Sequence, residues 1–245
     1  MKRLAGALPD GAQIVTPYGA TESLPVASIE SREVLGETAA MSLLGRGVCV
    51  GRTVEDAQVQ IIAIDDDPIA NEEDMVLLVP GEVGEICVRS PAVTEAYFGR
   101  PAATKAAKIC AADGSIIHRM GDLGWVDVRD RLWFCGRKSQ RVRTADGDRY
   151  TSACESVFNA HSQVLRSALV GVGEAGQQRA VLWVERDPDV PRKKRMSAAR
   201  LRAELMKLAA DIEPTRCIEE ILFHRGFPVD IRHNAKIGRE QLAAL

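Results

Sequence analysis

The chain has 245 residues, more than one domain usually needs and enough for two cores. Hydrophobic residues make up 46% and charged residues 27%, which speaks for a globular protein and against a disordered, fibrous or membrane-spanning one. With 32 Lys and Arg against 34 Asp and Glu, the net charge of -2 supplies no field to draw the chain onto nucleic acid or anionic lipid, so no nucleic-acid partner is expected.

At the N-terminus, Met1-Lys2-Arg3 precedes no apolar run long enough for a signal peptide. No run anywhere approaches the roughly 20 residues that span a bilayer, so a cytoplasmic chain without a transmembrane segment is expected. Residues 1 to 45 carry turn signals at Pro17, Gly19 and Pro25, and Val15 followed by Thr-Pro-Tyr-Gly predicts a short strand running into a loop. From about residue 47 to 137, short β-rich runs (59 to 64, 84 to 88, 125 to 128, 132 to 135) alternate with Gly, Pro and Asp turns, as in small sheets or barrels. One helix is predicted among them, over 102 to 112.

After Arg143 the pattern changes to a compact α+β unit, with helices over 153 to 160 and 198 to 212 and strands over 168 to 172, 180 to 184 and 221 to 224. In the second helix Leu201, Leu205, Leu208 and Ile212 share one face, and Ser197 is the expected N-cap. The basic run Arg192 to Arg195 reads as a solvated loop. The six cysteines, at 49, 87, 110, 135, 154 and 217, include no CxxC pair and are expected to be reduced core thiols rather than zinc ligands or disulfides.

Four short patterns carry chemistry: Tyr18-Gly19-Ala20-Thr21-Glu22, Gly121-Asp122-Leu123-Gly124, Gly136-Arg137-Lys138-Ser139 and Asn234-Ala235-Lys236-Ile237-Gly238-Arg239. Each alone is an ordinary turn or charged surface segment. In this order, with Gly81-Glu82-Val83-Gly84-Glu85-Ile86 and Pro101 to Lys105 between them, they resemble the adenylate-forming superfamily of acyl-CoA synthetases, peptide-synthetase adenylation domains and luciferases. Thr16 to Ala27 and Arg232 to Ile237 resemble the β-lactone synthetase branch of long-chain olefin biosynthesis.

The resemblance implies an α/β fold with α+β parts. Residues 1–138 would be the C-terminal end of the large AMP-binding domain, including a distorted β-barrel, and residues 139–245 a small, mobile α+β domain carrying the catalytic lysine. Tyr18 would lie against adenine, Gly19 would let the backbone approach closely, and Thr21 would sit near the α-phosphate and the acyl carboxylate. Glu22, a hard oxygen donor, would help to hold Mg²⁺. Asp122 would accept hydrogen bonds from both ribose hydroxyls, with Arg137 reaching the sugar or the phosphate. Lys236 would offset the repulsion between the attacking carboxylate and the α-phosphate.

Three departures qualify this. Ser139 occupies the hinge position where the family usually has Asp or Lys. Ala235 replaces the glycine that commonly precedes the lysine. The Ser/Thr/Gly-rich loop that cradles the β- and γ-phosphates is not found, so Met1 is expected to be an internal methionine, a fragment start or a mis-called start, with most of the large N-terminal domain missing and the isolated chain inactive or weakly active. The function implied is ATP-dependent activation of a carboxylic acid, a long-chain β-hydroxy acid, as an acyl-adenylate that closes to a β-lactone with release of AMP. Association with other enzymes of the same pathway fits this reading. Two alternatives stand beside it: a fatty acyl-CoA ligase, which alone would need coenzyme A, and a non-catalytic remnant acting as a binding module.

Overall fold

A computed structural model describes residue 4, residues 6–230 and residues 233–245, with side chains from 236 onward in the last stretch. The chain divides into two compact units, one of Met1–Ala40 with Val48–Lys138 and one of Met41–Gly47 with Ser139–Leu245. Among the described residues no helix is long and apolar enough to cross a membrane.

The first unit is built on a hairpin of β1 (Val15–Ala20) and β2 (Ser23–Glu30), followed by the short helices α1 (Ser31–Leu35) and α2 (Glu37–Leu43). Then come β3 (Val48–Thr53), β4 (Gln58–Ile62), β5 (Gly84–Arg89), helix α3 (Pro101–Ala107), β6 (Lys108–Cys110), β7 (Ile116–Val126) and β8 (Arg131–Arg137). The sheet runs β1-β2-β3-β8-β7-β5-β4, with β6 also on β7, and every pairing is antiparallel. It begins at β1 and ends at β4, so among the described residues the β-rich region is an open sheet rather than a closed barrel.

Two local expectations change. The turn signals at Pro17 and Pro25 fall inside strands. Pro17 is tolerated because β1 is an edge strand with no ladder bond to lose on its outer side, and Pro25 lies in the irregular stretch between the paired residues Ser23 and Ala27. The helix predicted over 102 to 112 ends at Ala107, where the chain turns extended and Lys108–Cys110 pairs with β7. That switch places Ile109 with Ile62, Cys87 and Ile117 in a buried cluster, and tertiary burial overrides the helix propensity of the alanine-rich run. It also leaves Cys110 exposed, and Cys217 is half-buried, whereas Cys49, Cys87, Cys135 and Cys154 are buried as expected; none of the six is in a disulfide.

The second unit comprises β9 (Val142–Thr144), β10 (Gly147–Arg149), α4 (Thr151–Asn159), β11 (Val164–Val172), β12 (Arg179–Arg186), α5 (Ala198–Asp211), β13 (Ile218–His224), β14 (Val229–Asp230), β15 (His233–Ile237) and α6 (Arg239–Ala243). Its central sheet is mixed: β11 and β12 are antiparallel, and β12 and β13 are parallel, joined by the α5 crossover that a parallel pair requires. Phe158 of α4 and Leu201 and Leu205 of α5 pack with Leu169 and Leu182 in one core cluster. Ala168, Val170, Val181 and Trp183 pack with Phe227 and with Leu242 of α6 in another. Ser197 caps α5 by accepting the Arg200 N–H at 3.2 Å. Leu201, Leu205 and Ala209 are its buried stripe, flanked by half-buried Leu208 and Ile212. The basic run at 192–195 is exposed.

Candidate functional site

The first unit draws three of the sequence-predicted residues together, because β7 and β8 pair in a register that sets Asp122 opposite Arg137. Asp122 is 3% exposed. Its Oδ2 accepts a 2.7 Å hydrogen bond from the Tyr18 hydroxyl, 104 residues away in sequence. Arg137 Nη1 stands 2.9 Å from Oδ1 and forms an ion pair with it, off the alignment of a good hydrogen bond. Burial lifts the Asp122 carboxyl above the ordinary carboxylate range, and the Arg137 charge and the Tyr18 hydrogen bond pull it back. Burial, with the charge of Asp122, raises the Tyr18 phenol. Gly121, at φ +64°, takes a left-handed conformation that an L side chain rarely adopts, immediately before Asp122.

Gly19 and Thr21 lie at the hairpin end of β1. A Cβ on Gly19 would stand 2.6 Å from the carbonyl oxygen of Ser23, so close approach within the hairpin already demands glycine there, independently of any ligand. Thr21 is exposed at the turn. Glu22 sits in a group the sequence did not single out. Tyr97 donates from its hydroxyl to Glu22 Oε1 at 2.6 Å, and this bond is the main reason the Glu22 carboxyl is held below its usual range. Tyr97 itself is pushed up to about 12 by burial and by Glu22. Lys108 donates to Thr94 Oγ1 at 3.1 Å and lies 5.8 Å from the centre of the Tyr97 ring; its burial lowers its pKa. His118, buried nearby, is lowered by desolvation and by the charge of Lys108. No sequence spacing announces Tyr97 or Lys108, since only the fold brings them to Glu22.

Among the described residues no three His, Cys, Asp or Glu side chains form a metal cage. One ionised carboxylate is nonetheless what a Mg²⁺ ion needs when substrate phosphates and water supply most of its oxygens, and Glu22 fits that donor set. The Asp122 carboxylate, an acceptor with lone pairs beyond those used by Tyr18 and Arg137, likewise suits a ribose hydroxyl as donor.

Lys236 and Ser139 belong to the second unit, and both are exposed. Lys236 projects from β15, which pairs antiparallel with β14 through Val229 opposite Ile237 and Asp230 opposite His233. Ser139 lies in the short 3-10 turn Lys138–Gln140. Of the segment Arg232 to Ile237, Arg232 falls outside the described residues, as do the side chains of His233, Asn234 and Ala235.

No protein-family profile matches the chain. In sequence it is 51% identical over 245 residues to an olefin beta-lactone synthetase of Xanthomonas campestris pv. campestris, across 98% of this chain and 43% of that protein. It is 53% identical over 240 residues to an olefin beta-lactone synthetase of Stenotrophomonas maltophilia, across 96% of this chain and 42% of that protein. The chain thus spans about two fifths of the length of the curated relatives it matches. In structure it is similar to the o-succinylbenzoate coenzyme A synthetase of Bacillus subtilis solved with ATP and a magnesium ion. The TM-score is 0.69 over 95% of this chain and 42% of that one, at 21% identity, so this likeness is one of fold.

Proposed function

We propose that the chain, which corresponds in sequence and fold to the C-terminal part of an adenylate-forming enzyme, contributes the nucleotide site and the catalytic lysine of a β-lactone synthetase. The observation that carries the nucleotide site is the buried Asp122 carboxylate, held by the Tyr18 hydroxyl on Oδ2 and by the Arg137 ion pair on Oδ1. In this reading Asp122 and Arg137 hold the ribose, the Tyr18 ring lies beside adenine, Thr21 attends the α-phosphate and Glu22 holds Mg²⁺. When bound, Mg²⁺ neutralises and orients phosphate oxygens.

Two steps follow. A carboxylate oxygen of the β-hydroxy acid attacks the α-phosphorus of ATP and pyrophosphate leaves, while the Lys236 ammonium stabilises the charge that accumulates between the two anions. The β-hydroxyl oxygen then attacks the activated carbonyl, loses its proton, and AMP leaves as the four-membered ring closes. Tethering makes this step fast, because nucleophile and electrophile share one molecule, and AMP replaces a carboxylate oxygen that could not leave.

The logic gives a direct test. With the complete enzyme and no thiol, a β-hydroxy fatty acid is expected to give continuous, equal release of pyrophosphate and AMP, whereas the same acid lacking the hydroxyl gives a single burst of pyrophosphate of about one equivalent. Continuous AMP release from the acid without a hydroxyl would refute closure by the tethered oxygen. A second reading is a remnant that binds without catalysis. The reading frame upstream of Met1 separates the two: continuation into a Ser/Thr/Gly-rich phosphate loop supports the enzyme, and an in-frame stop supports the remnant.

A further inference from the structure

Glu22 lies in the turn between β1 and β2. A glutamate side chain there is costly to immobilise, yet one segment grips this residue twice. The Thr94 N–H donates to the Glu22 carbonyl oxygen at 2.8 Å, and the Tyr97 hydroxyl donates to Oε1 at 2.6 Å. An ionised carboxylate accepts through both oxygens, so the Tyr97 bond fixes the group and leaves Oε2 for a further partner.

The segment is itself braced to hold Tyr97. The chain turns over Tyr97 to Arg100, where the Arg100 N–H donates to the Tyr97 carbonyl oxygen at 3.1 Å and Gly99 takes a left-handed φ of +66°. Pro101 then opens α3 at a position that needs no N–H. Thr104 Oγ1 accepts the Tyr97 N–H at 3.0 Å and donates to the Arg100 carbonyl oxygen at 3.1 Å. Lys108, on the strand that follows α3, donates to Thr94 Oγ1 at 3.1 Å and lies 5.8 Å from the centre of the Tyr97 ring. The Pro101 to Lys105 pattern has no place in the nucleotide contacts; here it braces the residue that holds Glu22.

We infer that Tyr97 is a positioning residue for the divalent metal: its hydroxyl holds the Glu22 carboxylate in the orientation in which Oε2 meets Mg²⁺, and Thr104 holds Tyr97 in turn. The inference rests on the role proposed for Glu22. Groups that orient a metal-binding side chain without touching the ion typically count for roughly ten- to a hundredfold in metal affinity.

The test uses the complete enzyme with ATP and acid fixed and Mg²⁺ varied. Tyr97→Phe keeps the ring and deletes the hydroxyl. The Mg²⁺ concentration for half-maximal pyrophosphate release is expected to rise about tenfold or more, with the rate recovering at saturating Mg²⁺. Retention of ATP in equilibrium dialysis without acid, where nothing turns over, is expected to need the same excess of Mg²⁺, while the thermal midpoint stays near the parent value. Thr104→Val is expected to shift both Mg²⁺ curves in the same direction by a smaller factor, and it carries the test if Tyr97→Phe does not fold. A rate that falls equally at every Mg²⁺ concentration, with the half-saturation point unmoved, gives Tyr97 a merely structural role and overturns the inference. An unmoved point in folded Thr104→Val removes Thr104 from it, and overturns it outright where Tyr97→Phe does not fold. Glu22→Gln separates the inference from the metal role of Glu22. A Mg²⁺ dependence shifted by Glu22→Gln but not by Tyr97→Phe overturns the inference alone. One shifted by neither overturns metal binding at Glu22, and the inference with it.

Discussion

Replacing Lys236 with alanine in the complete enzyme is expected to lower the rate of pyrophosphate release by roughly 10²–10³-fold, the cost of removing one preorganised group from a charge-developing transition state. The size follows from the reaction. Carboxylate and triphosphate are both anions, their approach is repulsive, and an ammonium placed where charge gathers in the transition state offsets that repulsion. Lys236 stands exposed on β15, and its side chain is not among the buried groups of the second unit's cores, so its removal leaves the fold in place. Stopped-flow detection of pyrophosphate, with circular dichroism to verify folding, reads the effect. Near-normal adenylation by a folded Lys236→Ala enzyme contradicts the assignment.

Asp122→Asn is expected to act on nucleotide use. The substitution keeps the shape and an oxygen for the Tyr18 hydroxyl, but removes the negative charge from a buried carboxylate that faces Arg137. A hydrogen bond to a charged acceptor contributes about 1.5–3 kcal/mol against about 0.5–1.5 kcal/mol for a neutral one. With that oxygen kept for Tyr18, the amide NH2 stands where the proposed ribose hydroxyl would bond and cannot accept it, and the loss of about 1.5–3 kcal/mol lowers kcat/KM for ATP roughly ten- to a hundredfold. Steady-state kinetics with ATP varied at saturating acid checks this. An unchanged kcat/KM for ATP removes Asp122 from the ribose.

Much of the architecture was legible because it is written locally. The Ser197 cap and the Leu201 and Leu205 spacing set out α5 before any tertiary contact is known. The change of texture after Arg143 marks the second unit's α+β pattern in the same way. What was not legible depends on distant partners. The run at 102–112 has the composition of a helix, and only the pairing of Ile109 with β7 ends it at Ala107. Pro17 and Pro25 read as turns, since nothing near them reveals that β1 is an edge strand or that the β1–β2 pairing is irregular at residue 25.

The site divides along the same line. Asp122 and Arg137 were found through short motifs, and register alone then brings them face to face. The bond from Tyr18 to Asp122 spans 104 residues, and Tyr97 reaches Glu22 across 75, so neither contact has a signature in spacing. The ion pairs at Glu85 and Glu155 were missed for the same reason: Glu85 meets Arg119 and Lys138, and Glu155 meets Arg239, only because the sheets bring them together.

The central claim is that an acyl-adenylate made at this site is consumed by the substrate's own β-hydroxyl. It is tested most directly by incubating the complete enzyme with a long-chain β-hydroxy acid, ATP and Mg²⁺, with and without coenzyme A, and identifying the product by mass spectrometry and infrared carbonyl absorption. The account predicts a β-lactone, formed with one AMP per turnover and at the same rate whether or not the thiol is present. A thioester that forms only when coenzyme A is supplied, with no lactone in its absence, would contradict it.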